Sequence, residues 1–166
     1  VIISTGMSTF SEIERAISIL KLPGDTSETL RPFHLTEKAD NNFAVLHCNS
    51  TYPAPLNELN LHAISTLQDR YKINVGYSDH SHNLLTPIAA AAKGISMIEV
   101  HATKSNSLEG PDHKSSLNFQ ELKIYISNLR KAETMLGSYN KTITPSEKNN
   151  KKFVTKRLFF KRTIKK

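Results

Sequence analysis

The stretch Ile73-Asn74-Val75-Gly76-Tyr77-Ser78-Asp79-His80 is followed by Thr86-Pro87-Ile88-Ala89-Ala90-Ala91-Ala92-Lys93-Gly94 and then by Ile98-Glu99-Val100-His101. A short apolar run, a helix-compatible run and a second short apolar run in that order describe a strand, a helix and a strand. Thr86 suits a helix cap, Pro87 suits the first turn, and Gly94 suits the left-handed residue that ends a helix. Parallel strands joined through a helix lie side by side, so residues ending both strands meet above one edge of the sheet. His80 and His101 occupy those ends. One strand-end histidine is an ordinary polar residue; two that converge can share a metal ion.

Outward from this unit the same alternation repeats. Val1 to Thr5 reads as a strand, and the helix after it carries Ile13, Ile17 and Leu20 at helical spacing, with Ser11 and Glu14 placed as a capping box. The second strand is Phe43 to Cys48. A helix over about Leu59 to Arg70, with Leu59, Ala63 and Leu67 on one face, leads to the third strand, Ile73 to Tyr77. The fourth strand spans Ser96 to His101. The last helix runs from about Phe119 to Leu136, capped by Asn118 with Glu121 three residues on and stopped at Gly137.

Alternating strands and helices imply an α/β fold with a parallel sheet, here a partial (β/α)8 TIM barrel of about four βα units. An open dinucleotide-binding sheet would be expected to carry a G-x-G-x-x-G or Walker loop, and neither occurs. Polar residues collect instead at the strand ends: Ser4 and Thr5, His47 to Ser50, Ser78 to His80, and His101 with Thr103. In a barrel, that face gathers the catalytic residues.

Two stretches interrupt the cycle. Lys21 to Asn42 is a long polar connection and reads as a surface insertion or a partly disordered stretch. Thr103 to Ser116 is a loop on the presumed active face; its Gly110-Pro111 makes a turn, and Asp112, His113 and Lys114 are candidates for substrate contact. The expected organisation is barrel over 1–140 and a basic linker over 141–166.

Charge is unevenly placed. The 166 residues carry a net +7, but residues 141–166 hold ten Lys and Arg against Glu147 alone, leaving twelve bases and fourteen acids before them. Such a tail attracts polyanions without sequence choice, so no specific nucleic-acid partner is expected. Arg157 to Phe160 and Thr163-Ile164 interleave apolar residues that read as a short strand or packing segment. No apolar run reaches the roughly 20 residues that span a bilayer, so no membrane partner is expected. Cys48 is the single cysteine and excludes an internal disulfide framework. A cytoplasmic enzyme fits best, and the strand-like Val1-Ile2-Ile3 suggests a chain that starts mid-fold.

Two histidines with open coordination positions and nearby carboxylates suit Mn²⁺, Zn²⁺ or Mg²⁺ acting as a Lewis acid on a carbonyl oxygen. Alternation puts Glu99 on the strand face of His101, as a group that orients a ligand or fills the interior, whereas Asp79 merely neighbours His80 in sequence. The hydroxyls of Ser4, Ser50 and Ser78, with loop N–H groups, can hold a phosphate or carboxylate. Each is equally an ordinary turn or cap residue.

Taken in order, His47-Cys48-Asn49-Ser50-Thr51-Tyr52-Pro53-Ala54-Pro55, Gly76-Tyr77-Ser78-Asp79-His80-Ser81, Ile98-Glu99-Val100-His101-Ala102-Thr103 and Glu109-Gly110-Pro111-Asp112-His113-Lys114 resemble successive signatures of the N-acetylneuraminate (sialic acid) synthase family, with Ser4-Thr5-Gly6-Met7-Ser8 similar to an earlier one. The resemblance implies the C-terminal half of a TIM-barrel catalytic domain that condenses phosphoenolpyruvate with an N-acylated sugar aldehyde, such as N-acetylmannosamine, and releases phosphate. It implies Mn²⁺ or Mg²⁺ held by His80 and His101, phosphoenolpyruvate at Ser4 and Ser78 with Ser50 near it, and the acceptor sugar facing Tyr52 and Asp112.

Departures accompany the match. The family usually has Lys and Phe where this chain has Val100 and Ala102, and Ser50 stands where some members carry Asn. The resemblance also places the first barrel strands, with their phosphate-binding lysines, and a small antifreeze-like domain outside this chain. Completion by a homodimer partner or a complementing chain is therefore expected; the alternative is a non-catalytic remnant or a module that binds metal or polyanion.

Overall fold

Strands β1 (Ile2–Ser4), β2 (Ala44–Cys48), β3 (Asn74–Asp79) and β4 (Ile98–Val100) form one parallel sheet in chain order. The computed structural model describes residues 1–21, 43–156, 158 and 161. Register sets Ser4 beside Leu46, Leu46 beside Gly76, and Ser78 beside Glu99. Helices α1 (Phe10–Lys21), α2 (His62–Tyr71) and α3 (Thr86–Ala92) lie between successive strands, as parallel pairing requires.

The pleat sorts these strands into two faces. Val45, Val75 and Tyr77 face the helices and are buried in one core with Ile13, Ile17, Ile64, Leu67, Tyr71 and Ala90. Ile17 and Ile64 are wholly inaccessible, and burial of each such side chain stabilises by about 1.5–3 kcal/mol. The alternate row, running through Ile2, Ser4, Leu46, Gly76, Ser78 and Glu99, forms the inner face. That face is open at its β1 edge, where Ile2 is 59% exposed, whereas Leu46 and Ser78 are buried. It requires glycine at 76, where a Cβ would stand 2.5 Å from both Leu46 Cδ2 and Met97 Cγ and 2.7 Å from the Met97 carbonyl.

Several local expectations are corrected. The cap of α1 is Thr9 with Glu12, not Ser11 with Glu14: Glu12 accepts from the Thr9 amide at 2.7 Å, and the Glu12 amide donates to Thr9 Oγ1 at 3.4 Å. Glu14 instead pairs with Arg70 at 2.6 Å. Helix α2 starts at His62 because Asn60, after a 3-10 turn over Leu56–Glu58, takes φ +45°. Its buried face is Ile64, Leu67 and Tyr71. Leu59 is buried ahead of the helix, and Ala63 is only half-buried. Thr86 does not cap α3; it is buried with its hydroxyl 2.9 Å from Ser81 Oγ, while Asn83 Oδ1 accepts the Leu85 amide. Strand β3 also runs two residues beyond the expected end.

Past the four-stranded sheet the chain adds a second, two-stranded one. After His101 the chain forms β5 (Ala102–Thr103), which pairs in parallel with β6 (Leu117–Asn118). The His101 carbonyl accepts the Leu117 amide at 2.9 Å. The extended run from Ile98 thus hands its pairing from β3 to a further short strand. Asn118 serves twice, since it also caps α4 (Phe119–Leu136): its Oδ1 accepts the amides of Gln120 and Glu121. Helix α4 buries Tyr125 and Ala132.

Residues 137–166 form a separate unit from 1–136. It contains α5 (Pro145–Val154), an unanticipated helix whose Thr144 and Glu147 make a capping box. The insertion beyond Lys21 and most of the apolar segment after Lys156 lie outside the described residues. Among the described residues no helix is long and apolar enough to cross a membrane.

Candidate metal and substrate site

His80 follows directly on β3, and its ring is fixed by its own neighbourhood. Nδ1 lies 2.7 Å from the Asn49 carbonyl, which can only accept, so Nδ1 carries the proton and Nε2 presents a lone pair. The His80 carbonyl takes the Ala54 amide at 2.8 Å, pinning the same turn to the segment after β2. His101, between β4 and β5, brings its ring to 5.2 Å from that of His80, edge to face. The strand-end geometry read from the sequence therefore does bring the two imidazoles together.

Tyr52 covers both, with ring centroids 4.2 Å from His80 and 5.3 Å from His101. Its hydroxyl stands 3.3 Å from His80 Nε2. Burial, and then the neighbouring Cys48, Asp112 and Glu99, push the Tyr52 pKa upward. The phenol stays protonated and is the natural donor to that lone pair.

Ser78 lies beneath His80 on the inner face. It donates to Glu99 Oε1 at 2.7 Å and stands 3.1 Å from His80 Nε2. A hydroxyl has one proton, and the carboxylate takes it, so His80 Nε2 is not satisfied by Ser78. Glu99 thus acts on the inner face where alternation placed it.

Asp112 approaches more loosely. Its Oδ2 is 4.0 Å from His101 Nδ1, too far for a hydrogen bond and wide enough for a bridging water. Its loop is tied down by His113 against Thr103 at 2.8 Å and by Asn106, which donates to the carbonyls of His113 and Ser116. Lys114 is exposed.

Ser4 and Ser50 form a second group at the ends of β1 and β2. Ser4 Oγ is 2.8 Å from Cys48 Sγ, and a Cβ at Gly6 would collide with Ser50 Oγ and stand 2.8 Å from Cys48 Sγ. Gly6 is what lets the turn after β1 close onto the end of β2. Asp79 points the other way, into the helix layer, where its Oδ2 accepts from Tyr125 at 2.7 Å and its Oδ1 from the Ser81 amide at 2.8 Å. His47 also faces that layer, 2.8 Å from the Leu59 carbonyl.

An open cleft of about 480 Å³ lies on the inner face, with Ile2, Leu46, Met97, Glu99, Val100 and Ala102 among its walls. Among the described residues, no three or more His, Cys, Asp or Glu stand close enough to hold an ion by themselves. Two imidazoles with one ring fixed still fit a divalent cation that draws its other ligands from water or substrate oxygens. The Asn49 carbonyl is the contributor that sequence reading missed. It lay inside a quoted motif, but a main-chain oxygen leaves no residue signature.

Convergent strand-end histidines on a parallel α/β sheet define a class of protein, and comparison gives that class a family. The NeuB family model matches residues 1–141, and the chain belongs to the NeuB family. Over all 166 residues it is 39% identical to N,N'-diacetyllegionaminic acid synthase of Campylobacter jejuni, covering 46% of that protein. Over 147 residues, 88% of this chain, it is 32% identical to human N-acetylneuraminate-9-phosphate synthase, covering 36% of it. The crystal structure of N-acetylneuraminic acid (sialic acid) synthetase from Leptospira borgpetersenii serovar Hardjo-bovis, in complex with citrate, superposes with TM-score 0.73 at 33% identity, over 92% of this chain and 48% of that one. The chain spans less than half the length of each of these relatives. The match supports a curled, parallel half-barrel sheet.

Proposed function

We propose that this chain carries the metal-binding and acceptor-binding part of a nonulosonic acid synthase, within a partial TIM barrel, for the condensation of phosphoenolpyruvate with an N-acylated sugar aldehyde. The observation that carries the proposal is the convergence of His80 and His101 under Tyr52, with the His80 tautomer set by Asn49. In the reaction, C3 of the enol forms a bond to the aldehyde carbon, and water supplies the oxygen that replaces the departing phosphate. A divalent cation, Mn²⁺ or Mg²⁺, held by His80 and His101, supplies Lewis-acid polarisation of the aldehyde oxygen.

The chain's own groups prepare that setting. His80 offers Nε2 because Nδ1–H is spent on Asn49. Tyr52 shields the rings from one side, and its phenol, released from Nε2 when a cation takes that lone pair, can donate to a sugar oxygen. Asp112, more than half exposed, can accept from sugar hydroxyls beside His101. Ser4 and Ser50 lie at successive strand ends, where they can donate to the carboxylate and phosphate of the enolpyruvate, and Ser78 can do the same once its proton leaves Glu99.

Ile2 and the inner-face cleft are open, and β1 pairs with β2 alone among the described strands. Full activity accordingly needs further barrel strands beside that edge. The test is phosphate release from phosphoenolpyruvate plus N-acetylmannosamine with Mn²⁺, using this chain alone and mixed with the N-terminal half of a relative. Release only in the mixture, abolished by His101→Ala, is expected. A mixture of folded, associated halves with no release from either N-acetylmannosamine or a diacetylated analogue would favour the non-catalytic reading.

A further inference from the structure

The sequence run Ser78-Asp79-His80 contains a buried carboxylate that the proposed chemistry does not use. Asp79 is 2% exposed and faces away from the inner surface. Both its oxygens are engaged: Oδ2 by the hydroxyl of Tyr125, itself 1% exposed, and Oδ1 by the Ser81 amide. A buried carboxylate is costly unless its hydrogen bonds are met. This one is met by groups from two places, the middle of α4 and the residue just past His80. The Tyr125 pKa is pushed well up by burial and then by Asp79, so its proton stays with the phenol and the bond keeps one direction. Ser81 is held again through its hydroxyl, 2.9 Å from Thr86 at the start of α3.

His80 sits between the two clamped residues. Its own contacts fix its ring, but the backbone that aims the ring at Asn49 is held from behind, by Asp79 and Ser81 against α3 and α4. We infer that Asp79, gripped by Tyr125, is a positioning residue for His80: it sets the turn that lets Nδ1 reach the Asn49 carbonyl and leaves Nε2 as the unprotonated nitrogen. A purely structural Tyr125 would stabilise α4 against the sheet without affecting which ring nitrogen of His80 carries the proton. The inference rests on the proposed ligand role of His80 only for its consequence in metal binding, since the tautomer can be read without metal.

The experiment uses the full chain with ring nitrogen-15 labelled histidine, His80 being assigned by its loss in His80→Ala. Long-range nitrogen–proton spectra report which nitrogen is protonated. In the parent chain His80 is expected to be the Nδ1–H form. In Tyr125→Phe, which removes one oxygen and keeps the ring, it is expected to become a mixture of both forms, with Mn²⁺ affinity falling about tenfold, at the low end for groups that orient a ligand. Asp79→Asn retains one accepting oxygen for two donors and should shift His80 in the same direction. Tyr71→Phe is the control, a buried tyrosine whose hydroxyl reaches the Phe10 carbonyl at 3.4 Å, and it should leave His80 unchanged. An unchanged His80 in folded Tyr125→Phe overturns the inference. So does outright unfolding on loss of that one hydroxyl, which would assign the pair to the fold itself. If the tautomer shifts but neither parent nor variant binds Mn²⁺, positioning stands and the ligand role of His80 falls.

Discussion

The two faces of β3 share one hexapeptide and live in different worlds. Toward the helices, Val75, Tyr77 and Asp79 are shut into a packed layer, and Asp79 has both oxygens bonded. Toward the inner face, Gly76, Ser78 and the following His80 meet Leu46, Glu99 and His101 beside an open cleft. Adjacent residues in the sequence are therefore not adjacent in function. Period-two alternation decides that Ser78 and His80 face the inner side of the sheet and that Asp79 faces the helices. The helix face supplies stability; the inner face ties Ser78 to Glu99 and holds His80 beside His101.

Substitutions can break or sharpen this contrast. The largest effect is expected at Ile64→Ala in the helix layer, costing about 2–5 kcal/mol. Ile2→Ala on the inner face should change stability by less than about 0.5 kcal/mol, as exposed positions do. Urea midpoints compare the two, and equal losses would erase the distinction between the faces. Next comes Gly76→Ala. It pushes a methyl against Leu46, Met97 and a backbone carbonyl, for about 1–3 kcal/mol, read from the same midpoints.

A smaller effect distinguishes capping from packing. Thr9→Ala should cost about 1 kcal/mol by freeing the first amides of α1, whereas Ser11→Ala should be nearly neutral. Thermal unfolding of both variants locates the cap.

Glu121 gives a pH signature. Its pKa is lowered from 4.5, chiefly by the Asn118 amide and further by His82. A carboxylate with a depressed folded pKa contributes stability above its unfolded value, and the contribution fades as pH falls through the folded value. Glu121→Gln should therefore lower the urea midpoint at pH 7, and the gap to the parent chain should close toward pH 3.

Much of this was legible because strands and helices leave periodic marks. Ile13 and Ile17 mark the buried face of α1, and the strand ends place His80 and His101. Legibility failed where one residue could serve two masters. Thr9 and Ser11 both suit a cap, and the choice depends on where the turn after Gly6 delivers the chain. Leu117-Asn118 read only as a helix start, because two residues of strand carry no period of their own. The start of α2 depended on Asn60 entering the left-handed region, which asparagine tolerates but does not announce. In the site, side chains could be nominated from sequence, while the Asn49 carbonyl and the direction of Asp79 emerged only from main-chain geometry.

The central claim is that His80 and His101 share one divalent cation on this chain. Calorimetric titration of Mn²⁺ into the full chain, beside His80→Ala and His101→Ala, addresses it most directly. The account predicts saturable binding of one ion per chain in the parent, weakened about tenfold or more in each variant. Binding that survives both substitutions, or its absence in a folded parent, would contradict it.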